Sequence, residues 1–171
     1  MKKILFLIAI VFIVSCNNTL DTTPRKINFD RDVCATCLMG IAEKNYAVQA
    51  INPRGKVIWF DDIGCFIKYL DDPNWKKFIV DGKPVVWIAD ADTGEWLDIY
   101  NAYYRYGDRT PMGYGYGALK EKKEGYFDYK TTVERIKAGK TKRDEFKKMK
   151  KEEGGMKCAP GKCGKGKCGG K

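Results

Sequence analysis

The sequence predicts an α+β domain of two small, similar halves, followed by a separate low-complexity tail. Three observations carry this. Two β-rich pairs each flank a glycine turn, at Asn52-Pro53-Arg54-Gly55 and Asp92-Thr93-Gly94. A helical stripe follows the first pair, with Ile63, Phe66, Ile67 and Leu70 spaced i, i+3, i+4 and i+7. From residue 154 the chain is almost entirely Gly, Lys and Cys, which cannot build a core. The length of 171 residues fits one ordinary domain, and 44% hydrophobic residues rule out global disorder.

The elements follow in order. Met1-Lys2-Lys3 is a short positive region, and Ile4 to Val14 an apolar run too short to span a bilayer. The run closes on Ile13-Val14-Ser15-Cys16, the apolar-small-small-Cys pattern of a bacterial lipobox. The expectation is a signal peptide over 1–15 and acylation of Cys16, leaving 156 residues anchored to lipid on the oxidising side of a membrane. The membrane, inner or outer, is open at this point. Residues 16–29, with Thr22-Thr23-Pro24, read as a flexible tether. The folded domain is expected over 30–150, and the flexible Cys-rich tail over 151–171.

Tyr46 to Ile51 and Lys56 to Phe60 read as strands, with Asp61 as the cap of the helix that follows and Asp71-Asp72-Pro73 as its stop. Pro84 to Ala89 and Glu95 to Ile99 form the second strand pair. Tyr100 to Tyr106 reads as strand or helix, 107–117 as a glycine-rich loop, and Gly125 to Tyr129 as a short strand. Thr131-Thr132-Val133-Glu134 fits a capping box opening a last helix that frays near residue 150.

Charge is divided along the chain. Residues 137–171 hold 13 Lys/Arg against four Asp/Glu, whereas 16–136 hold 17 basic and 18 acidic residues. A nearly neutral domain therefore carries a basic tail, and nothing in the domain asks for nucleic acid. There is no histidine, which excludes Ser-His and Cys-His triads and any histidine-ligated metal.

Sulfur carries the chemistry. Cys34-x-x-Cys37-x-Met39 offers two thiols that can chelate a soft metal or form a disulfide. In an extended backbone Cys37 and Met39 point the same way, and thiolate with thioether suits Cu(I). Cys65 lies roughly opposite the apolar stripe of its helix, in the first turn, where the helix dipole favours thiolate; a packing cysteine or a disulfide partner of Cys34 or Cys37 are the alternatives. Met112 stands in Thr110-Pro111-Met112-Gly113, a loop where packing explains methionine poorly. In the tail, Cys158, Cys163 and Cys168 recur every five residues behind Met156, a spacing suited to Cu(I) capture.

At these residues the chain resembles the NosL family, bacterial copper-binding lipoproteins associated with nitrous oxide reductase assembly. The likeness rests on the lipobox at Cys16, Cys34-x-x-Cys37-x-Met39, Phe60-Asp61-Asp62-Ile63-Gly64-Cys65 and Thr110-Pro111-Met112-Gly113, over about 30–135. It implies two ββαβ-like halves, Cu(I) bound by sulfur, and delivery to a periplasmic copper enzyme or its assembly factor. Leu38 stands where that family often has glycine, and Phe66 where methionine often follows the cysteine. The tail resembles Gly-Lys-Cys-Gly repeats of small secreted copper-buffering peptides.

The expected function is a membrane-anchored, periplasm-facing Cu(I) chaperone that is not an enzyme. Its candidate domain ligands are Cys34, Cys37, Met39, Cys65 and Met112, with Met39 and Met112 as thioethers and Cys65 singled out as thiolate. A thiol–disulfide oxidoreductase using Cys34 and Cys37 is the alternative, although no thioredoxin-like βαβ context frames the pair. A mercury-binding protein or carbon–mercury lyase is a third.

Overall fold

The computed structural model describes residues 21–153. The lipobox at Cys16 and the tail residues Met156, Cys158, Cys163 and Cys168 lie outside them. The domain is α+β. Its main sheet has four antiparallel strands, β1 (Val48–Ile51), β2 (Val57–Phe60), β3 (Val85–Ala89) and β4 (Trp96–Asp98), in the order β2-β1-β3-β4. The central strand β1 is wholly buried, with Val48 opposite Phe60 on one side and Ile88 on the other.

The β1–β2 turn forms as its sequence predicts. Asn52 Oδ1 accepts N–H bonds from Arg54 and Lys56, and Gly55 takes φ +76°, a left-handed position that glycine fills without strain. Helix α1 (Ile63–Tyr69) follows, but its cap is Asp62, not Asp61. Asp62 has the extended backbone of a cap, and its Oδ1 accepts from Gly64 N–H and Cys65 N–H. Asp61 turns the other way and accepts Ala42 N–H.

Asp71-Asp72-Pro73 ends α1 and also opens a helix that the periodicity did not reveal. This is α2 (Pro73–Phe78), capped by Asp72, with proline in its first turn. Its Trp75 stands edge-on to Phe66 at 5.7 Å and stacks on Phe78. The first half is thus ββαβ with one extra helical turn.

The two halves are unequal. Strand β4 pairs with β3 and extends the first sheet. The second half is the hairpin β5 (Tyr103–Tyr106) with β6 (Tyr116–Leu119), then helices α3 (Tyr129–Lys137) and α4 (Lys142–Glu153). Strand β6 takes up the end of the expected glycine loop. The strand expected at 125–129 reduces to a single bridge between Phe127 and Tyr104. Helix α3 opens three residues before the expected capping box, because Asp128 accepts Thr131 N–H. Gly139, at φ +70°, then breaks the expected single helix in two. Ala91 N–H donates to Ala118 O and Lys120 N–H to Asp90 Oδ2, fastening the hairpin to the first sheet.

The tether ends earlier than the sequence suggests. Gln49, fully buried, accepts Arg25 N–H at 2.8 Å and donates back to Arg25 O, as a neighbouring strand would. Trp87 Nε1 donates to Thr22 O, and Ile27 enters the core. Residues 22–27 therefore belong to the domain. Composition hid this, since the polar segment is held by its backbone rather than by an apolar stripe.

Candidate metal centre

Three cysteines from two segments meet beside the first sheet. Among the described residues, the Sγ atoms of Cys34, Cys37 and Cys65 all lie within 4.8 Å of one another, and all three thiols are free. Cys34 and Cys65 are buried, and Cys37 is partly exposed. With metal–sulfur bonds of about 2.3 Å, three sulfurs around one soft ion stand about 4 Å apart. The cluster has that scale.

The segment Cys34 to Met39 is a tight loop, not the extended run expected from the sequence. Cys34 N–H donates to Met39 O at 2.8 Å, Leu38 N–H donates to Cys34 O at 2.9 Å, and Val33 bridges Gly40. The loop closes through Leu38, whose φ of +62° is left-handed, the conformation glycine adopts most easily. The alternation that would align Cys37 with Met39 is therefore absent. Met39 is half-exposed, and its N–H faces Cys37 Sγ.

Cys65 is buried, contrary to the face expected from helical periodicity. A seven-residue helix has little room for a solvent side, and here both flanks of the first turn are covered. Thr36 Oγ1 donates to Cys65 O at 2.7 Å, laying the Cys34 loop on one flank. The Tyr114 ring lies against Gly64 on the other, where a Cβ would stand only 2.1 Å from it.

The charge also falls elsewhere than expected. The Cys65 thiol donates to Cys34 Sγ, and the N–H groups of Cys37, Asp61 and Thr36 face the same sulfur. These donors overcome burial and bring the Cys34 thiol down to about 5. The same bond keeps the proton on Cys65, and burial and the Asp62 carboxylate push that thiol further up. Burial also raises Cys37. The direction of these shifts makes Cys34, not Cys65, the more acidic thiol of the pair. The helix N-terminus does not make Cys65 the thiolate, because a thiol-thiolate pair shares a single proton.

Met112 comes from the second half. The turn Thr110–Gly113 has Pro111 at its second position and a Gly113 N–H to Thr110 O bond. Met112 is half-buried and packs against the core. Asp62 joins this loop to α1. Its Oδ2 accepts the Thr110 hydroxyl at 2.9 Å, and its carboxylate also takes the Met112 N–H. One buried carboxylate therefore binds the backbone of Cys65 and the hydroxyl of Thr110, two residues before Met112 and in the other half. Burial raises the Asp62 carboxyl to about 6 despite these donors. Sequence reasoning missed Asp62, Thr110 and Tyr114 as parts of the site. Their only local signal is the cap spacing Asp62-x-x-Cys65 and the Thr-Pro turn.

No family model matches the chain, and no curated protein does. Among solved structures, the fold is similar to the crystal structure of the copper chaperone NosL from Shewanella denitrificans. The match has 17% identity and a TM-score of 0.47, and covers 68% of this chain and 89% of that chain.

Proposed function

We propose that this chain is a membrane-anchored Cu(I) carrier that hands copper to an extracytoplasmic copper enzyme or its assembly factor, nitrous oxide reductase being the acceptor suggested by the sequence resemblance. The observation that carries the reading is the cluster of Cys34, Cys37 and Cys65 within 4.8 Å, with thiolate character on Cys34. An all-sulfur site without histidine suits a soft monovalent ion. Copper is cargo here, so the protein catalyses no reaction.

Each group has a part in loading and release. Cys34 offers a charged sulfur to the incoming ion. Cys65, and Cys37 where it joins, release a proton as sulfur binds the metal. Cys37 is the partly exposed thiol and faces the outside, so exchange with an incoming ligand begins there. Met39 and Met112 supply neutral thioethers, which bind Cu(I) without proton release. The tail residues Met156, Cys158, Cys163 and Cys168 serve as a second copper-collecting segment, and acylated Cys16 holds the protein at a periplasm-facing membrane.

Thiol–disulfide exchange fits the cluster less well. Such chemistry needs an accessible thiolate. Here the acidic thiol, Cys34, is fully buried, and the accessible one, Cys37, is raised.

The test uses the full chain with Cys158→Ser, Cys163→Ser and Cys168→Ser, so that the tail cannot mask the domain. Purified in reductant, it is expected to retain about one copper and to compete with a Cu(I) chelator. Met39→Leu and Met112→Leu are each expected to weaken binding several-fold, about 1 kcal/mol. No copper retained, together with rapid reduction of insulin, would replace this reading with the oxidoreductase. Unchanged affinity in both methionine variants would confine the site to the cysteines.

A further inference from the structure

We propose that Asp62 and Thr110 form a positioning pair that holds the Met112 loop of the second half against the cysteine cluster of the first. The inference rests on the reading of Met112 as a copper ligand and names what places it there.

One side-chain oxygen suffices to receive the free N–H groups of a first turn, and asparagine or serine supplies it as well as aspartate does. Asp62 meets that need with Oδ1 alone, through Gly64 and Cys65. Its second oxygen is turned away from α1 and accepts Thr110 Oγ1, with the Met112 N–H on the same carboxylate. The side chain is fully buried, and a buried carboxylate is costly unless each of its acceptor sites is used. Capping does not explain the choice of aspartate. A group that must accept on both sides does, because the Thr110 hydroxyl donates to the second oxygen, where asparagine would present an N–H₂ donor.

The loop is held at its other end too. Thr110 Oγ1 accepts Gly115 N–H, Tyr114 lies flat on Gly64, and Arg143 N–H at the start of α4 donates to Gly113 O at 2.7 Å. Met112 therefore sits in a turn clamped between α1 and α4. The cysteines need no such clamp from the second half. Cys34 and Cys37 are placed by their own loop, and Cys65 by α1. The Asp62–Thr110 bond is the polar tie between the cluster's helix and the loop bearing the thioether.

The experiment uses the full chain with the three tail cysteines replaced by serine, and Cu(I) as the probe. Affinity is read by chelator competition and the number of sulfur neighbours by copper X-ray absorption. Thr110→Val and Asp62→Asn are expected to weaken binding by the same factor as Met112→Leu, several-fold, and to lose one sulfur neighbour. Thr110→Val combined with Met112→Leu should be no weaker than Met112→Leu alone. Thr110→Ser, which keeps the hydroxyl, should restore both readouts, and a general loss of fold would not give that pattern. Parent affinity and sulfur count in Thr110→Val, or full additivity with Met112→Leu, would overturn the positioning role while leaving Met112 a ligand. Parent affinity in Met112→Leu itself would remove the underlying reading and the pair's function with it.

Discussion

The Asp62 carboxylate and the Thr110 hydroxyl meet at 2.9 Å across 48 residues of chain, both buried. On the Asp62 side the same carboxylate caps α1 above Cys65, and on the Thr110 side the turn carries Met112. This bond ties the helix that carries Cys65 to the loop that carries Met112. Its surroundings are tightly packed, with the Tyr114 ring against Gly64.

Gly64→Ala should destabilise the apo protein by about 2 kcal/mol, because the new Cβ would stand 2.1 Å from the Tyr114 ring. Either Tyr114 leaves α1 or the loop bearing Met112 shifts, so Cu(I) affinity should fall as well. Gly40→Ala is the control, with no atom within 4 Å of the added methyl. Thermal unfolding of the two variants checks this, and equal melting temperatures would show that the Tyr114 contact is dispensable.

One thiolate of the reduced apo domain should titrate near pH 5, by ultraviolet thiolate absorbance in the tail-serine background. Cys34→Ser should abolish that step, and Cys65→Ala should move it upward by removing the S–H donor. The linkage sign follows from a folded pKa below the ordinary 9.0. The contribution of Cys34 to stability is complete above pH 9, shrinks as pH falls, and is gone below about 5. A single step at the usual thiol range would contradict the shared-proton pair.

Gln49→Leu should leave the N–H and C=O of Arg25 without partners at a half-buried position, at a cost of about 1–3 kcal/mol. The N-terminal segment should then lift away, and trypsin should cut after Arg25 and Lys26 far faster than in the parent. Unchanged digestion would mean that Trp87 and Ile27 hold the segment without Gln49.

Cys16→Ala should release the protein from membranes, apart from a salt-sensitive residue due to the basic tail. With Thr22 bound to Trp87, at most residues 17–21 separate an acylated Cys16 from the domain. That length spans about 20 Å at full extension, so the anchored domain would stay close to the bilayer. Membrane fractionation and intact mass check the anchor, and undiminished membrane association of Cys16→Ala at high salt would exclude it.

Local chemistry was legible in the sequence wherever neighbours in the chain supply the partner. The Asn52–Gly55 turn, both strand pairs of the main sheet and the presence of a helix after β2 depend on contacts within a few residues. Two caps were displaced, from Asp61 to Asp62 and from Thr131 to Asp128, because several side chains nearby can accept the same N–H groups. Helix α2 is not legible in the sequence because six residues are too few to show a period. The sequence also marked Cys34, Cys37 and Cys65 as metal-ligand candidates by residue type and spacing.

Their assembly and charge belong to the tertiary structure. Periodicity placed Cys65 away from the apolar stripe, and the fold buried it, because the Cys34 loop and Tyr114 cover both flanks of a short helix. The helix dipole pointed to a Cys65 thiolate, yet the S–H bond to Cys34 and three backbone donors move the charge to Cys34. An i-to-i+2 alternation aligned Cys37 with Met39, and the left-handed Leu38 abolished it. The sequence by itself determined an α+β domain with candidate sulfur ligands and without histidine, because composition and short-range hydrogen bonding act along the chain. Only the tertiary structure decided which sulfurs meet, which one is charged and which carboxylate ties Met112 to them. Those depend on contacts between segments 29 to 48 residues apart, whose partners no local pattern names.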